Sequence, residues 1–380
     1  MKFRKIFFTV ILTSVLVSGV SAVSTIDKAK VSEGMNDFAW KLLFAVPEAA
    51  TQQNVWSDAY IGNLYPSIFP HFGVGFTLGG TYLDTSGLKK AVGELSGNKN
   101  FLMDAVGNNE IATKIMEGLG IGDFPENFVL PTATLDIRLG GLVLPFDVGI
   151  CAMMTNPAIF DIKLSEPSTI IGMNQAMTFD LQGFKGFIDY VTLGADLRYR
   201  FFEGSTFVPV ISIGGGYYYT QGNFKIGTTD SREVTIAGKT GNQVTDMNIG
   251  IGFQTHVAFA QIQISKEIGF ANLFLGARGV ISNTTTSWAW DYKTKNENPE
   301  LSAASNEAHD DGCVTANGID ESFHDGVWDM TKIQPQIFAG VGFNAWKFQF
   351  TLGACADVRS FFDPQYNIMW SGYFSTHFKL

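Results

Sequence analysis

The last eleven residues, 370–380, alternate between two kinds of side chain almost without exception. One set is largely apolar: Trp370, Gly372, Phe374, Thr376, Phe378 and Leu380. The intervening set is largely polar: Ser371, Tyr373, Ser375, His377 and Lys379. Because successive side chains of a β-strand point to opposite faces of its sheet, this pattern predicts a strand with one apolar and one polar face.

The same alternation recurs in segments 71–82, 133–139, 191–201 and 346–358. A soluble β-sandwich also alternates, so the pattern alone does not separate it from a membrane barrel. Strand length does, because most of these segments exceed the ~5–6 residues typical of soluble strands. They match instead the ~9–11 residues of a tilted strand that crosses lipid.

Residues 1–22 have the layout of a secretory signal. Lys2, Arg4 and Lys5 precede an apolar run at 6–17, and small residues at 20–22 offer a cleavage site. The apolar run is shorter than the ~20 residues that a membrane helix needs. We therefore expect cleavage after residue 22, which would move the formal net charge from −10 to −13. A charge this negative argues against nucleic acid as a partner.

Composition narrows the fold class of the exported chain. The full sequence has 33 Phe, 41 Gly and a mean hydropathy of +0.11, and after residue 22 it has no apolar run long enough for a membrane helix. Only helices and closed barrels satisfy all backbone groups within lipid. The sequence therefore predicts an all-β, transmembrane, antiparallel up-and-down barrel of about 12 strands, with 10 or 14 also open, and a helical insertion.

The predicted barrel spans residues 54–380, and its connections sort by length. The long connections are predicted external loops, because external loops of bacterial barrels are longer than periplasmic turns; they are 85–129, 156–186, 225–244 and 291–332. Eleven strands are predicted, at 54–64, 70–84, 130–140, 145–155, 187–202, 206–224, 245–266, 272–290, 333–343, 346–359 and 367–380.

Two features of this strand assignment are less regular. The N-terminal segment 23–53 is either the first strand, around 33–46, or a helix that plugs the lumen. Within 245–266 the apolar positions change from odd to even numbers, which predicts a β-bulge near 254–257. Both predictions concern how the barrel closes and what fills it.

Two of the predicted external loops carry features of their own. Loop 85–129 has helical spacing at 87–95 and 101–119, which predicts either a lumenal constriction or an external cap. Loop 291–332 carries ten carboxylate side chains. Calcium ligation there would fall to Asp310 and Asp311 or to Asp320 and Glu321, since hard cations prefer carboxylates. The spacing is not that of a calcium loop, so a solvated acidic surface is expected, with no metal and no cofactor.

Charged side chains recur on the polar faces of the predicted strands. Facing inward, they would form either a selectivity lining for a water-filled pore or a salt-bridged core of a filled barrel. The lumen-lining candidates are Asp136, Arg138, Asp196, Arg198, Arg200, Lys347, Asp357 and Arg359.

These features resemble outer-membrane β-barrel proteins of diderm bacteria over roughly residues 54–380. The segments 56–62 and 70–75 are similar to spirochaete-type outer-membrane proteins. The terminal strand looks like the insertion signal of that class, with Leu380 in place of the usual final aromatic residue. The resemblance implies a cell outer-membrane location, with outer-membrane lipid and the barrel assembly machinery as partners. The signal residues would be Trp370, Phe374, Phe378 and Leu380.

Three function classes follow from this architecture. The favoured one is a porin-like passive pore or transporter for small or hydrophobic solutes, in which residues 26–50 could form a hatch. The alternative is a structural or surface-interaction, adhesin-like protein with a filled barrel. Catalysis is not expected, because no nucleophile motif surrounds any of the five histidines. They are His71, His256, His309, His324 and His377.

Overall fold

A computed structural model describes residues 26–52, 55–61, 71–96, 127–141, 145–172, 177–181, 184–236, 239–296, 307–319, 332–359 and 369–379. The helices are α1 (Lys28–Ala50), α2 (Ser86–Ser96), a 3-10 helix (Pro157–Asp161) and α3 (Ser168–Ile171). The strands are β1 (His71–Asp84), β2 (Asn127–Gly140), β3 (Phe146–Met154), β4 (Met177–Leu181), β5 (Phe184–Phe202), β6 (Val210–Ile236), β7 (Lys239–Ile268), β8 (Ala271–Asn296), β9 (Glu307–Asn317), β10 (Gln334–Ala345), β11 (Phe348–Asp357) and β12 (Trp370–Lys379). The predicted signal at 1–22 and the predicted helix at 101–119 lie outside these residues.

Ten of the twelve described strands close into an antiparallel ring. The ring runs β1–β2–β3–β5–β6–β7–β8–β10–β11–β12 and returns to β1. The closing pair, β12 with β1, is in register from Gly73 opposite Lys379 to Thr81 opposite Ser371. Strand β4 pairs with β5, and β9 pairs with β8, beyond the ends of β3 and β10. The predicted antiparallel barrel is therefore confirmed, and its ring contains ten of the described strands, one of the strand numbers that the sequence left open.

A belt of exposed apolar side chains surrounds the outside of the ring. Such a contiguous apolar surface is what lipid covers in a spanning barrel. Aromatic residues flank it at both ends: Phe207, Phe270 and Trp346 lie in short turns, and Tyr82 stacks on Trp370 at the opposite end. The belt includes Leu78, Leu135, Ile137, Ile150, Leu193, Leu197, Ile213, Ile262, Leu275, Ile337, Leu352 and Phe374.

The connections give the barrel its orientation. The short connections from β2 to β3, β5 to β6, β7 to β8 and β10 to β11 all lie at the end where β12 finishes. Bacterial barrels have short periplasmic turns and longer external loops, so we assign this end to the periplasmic side. The opposite end, which carries the long hairpins and α2, is external.

The inward face of β7 changes polarity along its length. Every odd-numbered residue from 245 to 265 is buried. Near the periplasmic end these residues are polar, such as Gln261 and Gln263, whereas nearer the external end they are apolar, such as Ile249 and Ile251. The strand pairs with β6 and β8 through 254–257 without a register shift, so the predicted bulge there is wrong. Towards the external end of β7 the apolar residues change from even to odd numbers. This change occurs because water replaces lipid outside the wall and helix α1 fills the lumen inside it.

Several predicted loops are largely regular structure. The segment 225–244 was predicted as an external loop, yet β6 and β7 pair as a hairpin up to Ile236 opposite Lys239. The predicted loop 156–186 contains the 3-10 helix, α3 and β4, and 291–332 contains the end of β8 and β9. These hairpins were missed because their external parts lack an apolar outer face.

The N-terminal predictions are corrected as well. Segment 33–46 lies within helix α1 and is not a twelfth strand. The described part of the predicted strand 54–64, residues 55–61, is not a strand either, because these residues join no sheet and lie buried inside the lumen. No helix in the described part of the chain is long and apolar enough to cross a membrane.

The same substitution on strand β8 should lower stability much more in the belt than in the external hairpin. Leu275 is half-exposed in the belt, whereas Thr285 points outward beyond it and bonds Thr315 at 3.2 Å. Leu275→Arg should lower the free energy of unfolding in lipid by about 2–4 kcal/mol, and Thr285→Arg by about 0–1 kcal/mol. Denaturant titration in lipid vesicles measures both, and equal losses would contradict the assigned belt.

Candidate functional site in the lumen

The described residues 28–52 and 55–61 run through the lumen from the external end to the periplasmic end. The Ser32 hydroxyl donates to Asp310 on β9, in the external zone. The Thr51 carbonyl accepts from Arg278 at 2.8 Å, midway along β8. The Ile61 N–H donates to Asp147 at 3.2 Å, at the periplasmic start of β3. The chain therefore passes down the barrel before β1 begins.

Helix α1 fills the external half of the lumen with apolar side chains. Val31, Met35, Phe38, Leu42 and Val46 recur at helical spacing and are buried. They form one cluster with the inward residues of the external zone, and each large side chain contributes about 1.5–3 kcal/mol by burial. This cluster, called the apolar layer, also includes Leu83, Leu88, Val92, Met247, Ile249, Ile251, Phe253, Trp288, Trp290 and Tyr292.

Three polar contacts fix α1 against the barrel wall. The Trp288 indole donates to Asn36 Oδ1 at 3.0 Å, and the Thr286 hydroxyl donates to the Ala39 carbonyl at 3.0 Å. Near the end of the helix, buried Glu48 accepts from the Ser371 hydroxyl at 2.8 Å. These contacts hold the helix at both its external and its inner end.

Below α1, residues 55–61, called the lumen segment, cross the rest of the lumen. All seven residues are buried. Since the segment joins no sheet, side chains of the wall must satisfy its backbone. Gln263 Nε2 donates to the Trp56 carbonyl at 2.8 Å, and the Ala59 N–H donates to Ser265 Oγ at 2.9 Å. Polar wall side chains therefore hold its backbone, while the Val55 side chain packs on the apolar wall residues Phe274, Phe338 and Tyr373.

Asp58 is the most connected side chain of the lumen segment. Its carboxylate accepts from Lys379 Nζ at 2.7 Å, from Gln349 Nε2 at 2.8 Å and from Asn272 Nδ2 at 2.7 Å. Its backbone carbonyl accepts from Arg198 at 3.3 Å. Asp58 therefore joins the segment to strands β5, β8, β11 and β12 at once.

Trp56 lies in a notch on the seam between β12 and β1. Its indole nitrogen donates to Asp136 Oδ1 at 2.8 Å, and its rings stack on His377 with centroids 3.8 Å apart. The notch exists because the inward residue beside it is Gly73. A Cβ atom at Gly73 would lie 2.2 Å from the Trp56 ring, so even an alanine there would displace the indole.

A buried ionic network on the wall lies beside the segment. Arg138 bonds Asp147 at 2.5 Å and makes a bidentate contact to Asp196 at 2.8 and 2.9 Å. Arg198 Nε lies 3.4 Å from Asp196. Both arginines and both carboxylates are buried. Buried guanidinium groups are tolerated here because each faces a carboxylate, which offsets part of the desolvation cost.

The structure brings together half of the lumen-lining candidates from the sequence. Four of them lie on the wall at the level of the lumen segment, namely Asp136, Arg138, Asp196 and Arg198. The segment and the wall residues that contact it are called the polar layer. Its other wall members are Gly73, Asp147, Gln263, Ser265, Asn272, Gln349, Ser375, His377 and Lys379.

The other four candidates lie outside this cluster, although Arg200 also contacts the segment through Tyr60. Arg200 lies at the periplasmic end, 4.8 Å from the Tyr60 ring centroid and 3.3 Å from Glu203. Asp357 and Arg359 pair with each other at 2.6 Å towards the external end. Lys347 does not line the lumen, because β11 begins only at Phe348 and residues 346–347 form the turn before it.

Sequence reasoning missed the partners that hold the segment. Asp58 was assigned to a strand, although Val55 to Ile61 mixes apolar and polar residues on both alternating faces. That mixture is the available signal against a membrane strand. Lys379 and His377 lie on the polar face of the terminal strand, but only the fold shows that they meet Asp58 and Trp56.

The remaining predicted residues lie outside the lumen. Trp370 and Phe374 of the predicted insertion signal are exposed on the outer face, Phe378 is half-buried there, and Leu380 lies outside the described residues. For the acidic loop, the described part of the chain shows no cluster of three or more metal-ligating His, Cys, Asp or Glu residues. Asp320 and Glu321 lie outside that part.

Three residues of the wall are arranged in the order of a hydrolase triad. Ser375 Oγ lies 3.5 Å from His377 Nδ1, and His377 Nε2 lies 3.5 Å from Asp136 Oδ2. Both separations are long for hydrogen bonds. The Ser375 hydroxyl also donates to the Val55 carbonyl, and Trp56 covers the imidazole. With the lumen segment in place, a substrate therefore has no access to this hydroxyl.

No protein-family model matches the chain, and no significant match was found among curated proteins. Three solved structures illustrate its likeness to known proteins. The translocator domain of the autotransporter NalP from Neisseria meningitidis is 8% identical, with 94% of this chain and 100% of that one covered and a TM-score of 0.27. The Ralstonia pickettii toluene transporter TbuX is 7% identical, with 82% and 89% covered and a TM-score of 0.23. A FadL homologue of Pseudomonas aeruginosa is 8% identical, with 96% and 99% covered and a TM-score of 0.24.

The class of the protein follows from its own strand pairing and surface. A closed antiparallel ring satisfies the backbone groups that lipid cannot, and the apolar belt supplies the surface that lipid contacts. This is the architecture of a transmembrane β-barrel of the outer membrane. Its lumen is occupied by an apolar layer at the external side and a polar layer at the periplasmic side.

The pair formed by Asp58 and Lys379 predicts a non-additive loss of stability. Asp58→Asn leaves the buried Lys379 ammonium without its carboxylate, and breaking a buried pair in this way costs about 3–5 kcal/mol. Lys379→Gln should cost a similar amount. The double variant should lose much less than the sum of the two single losses, since no unpaired charge remains. Denaturant unfolding in lipid measures all three, and additive losses would show that the two groups do not interact.

Proposed function

We propose that the protein is a passive outer-membrane channel for small solutes, closed in this structure by the lumen segment, residues 55–61. The lumen segment is the gate, and the wall residues of the polar layer hold it closed. Helix α1 is the anchor that retains the segment inside the barrel. The proposal rests on the different chemistry of the two layers.

The observation that carries the proposal is that Asp58, the residue that joins the segment to four strands, binds the wall through polar groups alone. Lys379, Gln349 and Asn272 would be hydrated if the segment withdrew, since water can replace each of their hydrogen bonds to Asp58. Buried ion pairs give little net stability relative to their hydrated forms. Withdrawal of the lumen segment therefore costs less free energy than its many contacts suggest.

Helix α1 has no comparable alternative. Exposing Met35, Phe38 and Leu42 to water would lose the burial energy of each side chain. The inward residues of the external zone, such as Trp288 and Trp290, would be exposed with them. We therefore infer that α1 stays in place when the lumen segment moves.

The wall of the polar layer also indicates the class of solute. Asp136, Asp147 and Asp196 face Arg138 and Arg198, so both signs of charge lie close together. Such a lining attracts water and offers no strong preference for one sign of charge. Small hydrophilic solutes fit this wall better than hydrophobic ones.

The alternative function is that of a structural or surface-interaction barrel that never opens. The complete burial of residues 55–61 favours this reading. The two functions differ in conductance, because only a gated channel passes ions when the segment is loosened.

Loosening Trp56 should open the channel more often. Gly73→Ala forces the indole out of its notch, and Trp56→Ala removes the indole altogether. We expect purified wild-type protein in planar bilayers to be mostly closed, with rare openings. Both variants should open more frequently. Their single-channel conductance should match that of the wild type, because no charged residue of the wall is changed.

The matched control is Gly372→Ala on the neighbouring strand β12. An added Cβ atom there lies 3.9 Å from its nearest neighbour, the Gly353 carbonyl oxygen, so it should leave the open frequency at the wild-type level. Heat-modifiable migration in gels would verify that each variant has folded. If folded Gly73→Ala and Trp56→Ala both stay closed at every voltage, the channel proposal fails and the filled structural barrel is favoured.

A further inference from the structure

The direction in which the chain enters the lumen has a consequence for the cell surface. Strand β1 begins at the periplasmic end, where His71 pairs with Gly140. The preceding described segment also lies there, because Ile61 bonds Asp147. Towards the N-terminus the contacts move away from the periplasmic end: Thr51 bonds Arg278 midway along β8, and Ser32 bonds Asp310 in the external zone.

The start of α1 lies among external elements. Lys30 lies 3.7 Å from Glu94 on α2, and Lys90 on α2 lies 2.9 Å from Glu33. Helix α2 follows the external end of β1. Ser32 donates to Asp310 on β9, which pairs with the external part of β8. The first turn of the helix, including Ala29, is exposed.

We propose that the barrel presents the N-terminal end of its own chain on the external face of the outer membrane. Residues 28–52 and 55–61 would thus run from the cell surface back to the periplasmic end of the barrel. The barrel then anchors the start of α1 at the cell surface. This function holds whether or not the lumen segment opens as a gate.

The apolar layer makes this presentation permanent. Helix α1 is held by the buried side chains that it shares with β7 and β8, and by Trp288 and Thr286. Pulling its N-terminus back to the periplasm would expose this layer to water. Withdrawal of the lumen segment leaves the apolar layer intact, so gating of the channel and presentation of the N-terminal end are separable.

Cysteine labelling on intact cells tests the proposal. The background variant is Cys313→Ser, because Cys313 is exposed whereas Cys151 and Cys355 are buried. Ala29→Cys places a thiol on the exposed first turn of α1. Ser205→Cys places the matched thiol on an exposed periplasmic turn between β5 and β6. The probe is a charged maleimide that does not cross membranes.

We expect Ala29→Cys to react equally in intact and lysed cells of a diderm host, and Ser205→Cys to react only after lysis. An Ala29→Cys thiol that needs lysis, or that stays unreactive after it, would overturn the proposal. Reaction of Ser205→Cys in intact cells would overturn it too, because the barrel would then face the other way. An epitope placed before Asp27 gives a second reading: antibody must bind it on unbroken cells.

Discussion

The pairing between β12 and β1 is the contact on which the rest of the structure depends. It closes the ring, so no strand edge faces lipid with unsatisfied backbone groups. The same pairing places Gly73 opposite Lys379 and Gly75 opposite His377. Closure therefore also builds the notch for Trp56 and brings the ammonium of Lys379 to Asp58. The seam of the barrel and the docking site of the lumen segment are one feature.

The two layers of the lumen follow from the two environments outside the barrel. Where lipid covers the wall, outward residues are apolar and inward residues are polar, so the lumen can accept a polar segment. Where water covers the wall, the inward face of β7 and β8 becomes apolar and packs on α1, as in a soluble protein. Strands β7 and β8 are thus covered by lipid along one part of their length and by water along the other. Helix α1 is therefore fixed at the external side. At the periplasmic side, the polar groups that hold the lumen segment can bind water instead.

The barrel could be predicted from the sequence because its strands obey one rule, alternation against lipid. All ten ring strands were expected, including the closing strand at 370–379. The rule fails where lipid is absent, so the hairpin through 225–244 was taken for a loop and the polarity change in β7 for a bulge. The lumen segment was predicted as a strand because several of its residues are apolar. Its neighbours in the structure come from strands distant in the sequence, so the sequence alone does not show them. Residues such as Asp136 and Arg138 could be placed on the wall, but their partner Trp56 could not.

Hydrogen exchange of backbone amides in lipid, followed by mass spectrometry, tests the two-layer account most directly. Exchange reports the free energy of the opening that exposes each amide. The account predicts that peptides covering 55–61 exchange well before those covering 28–50, which should exchange only when the barrel unfolds. Exchange of both peptides at one common rate, that of global unfolding, would contradict it, because the lumen would then hold a single, inseparable core.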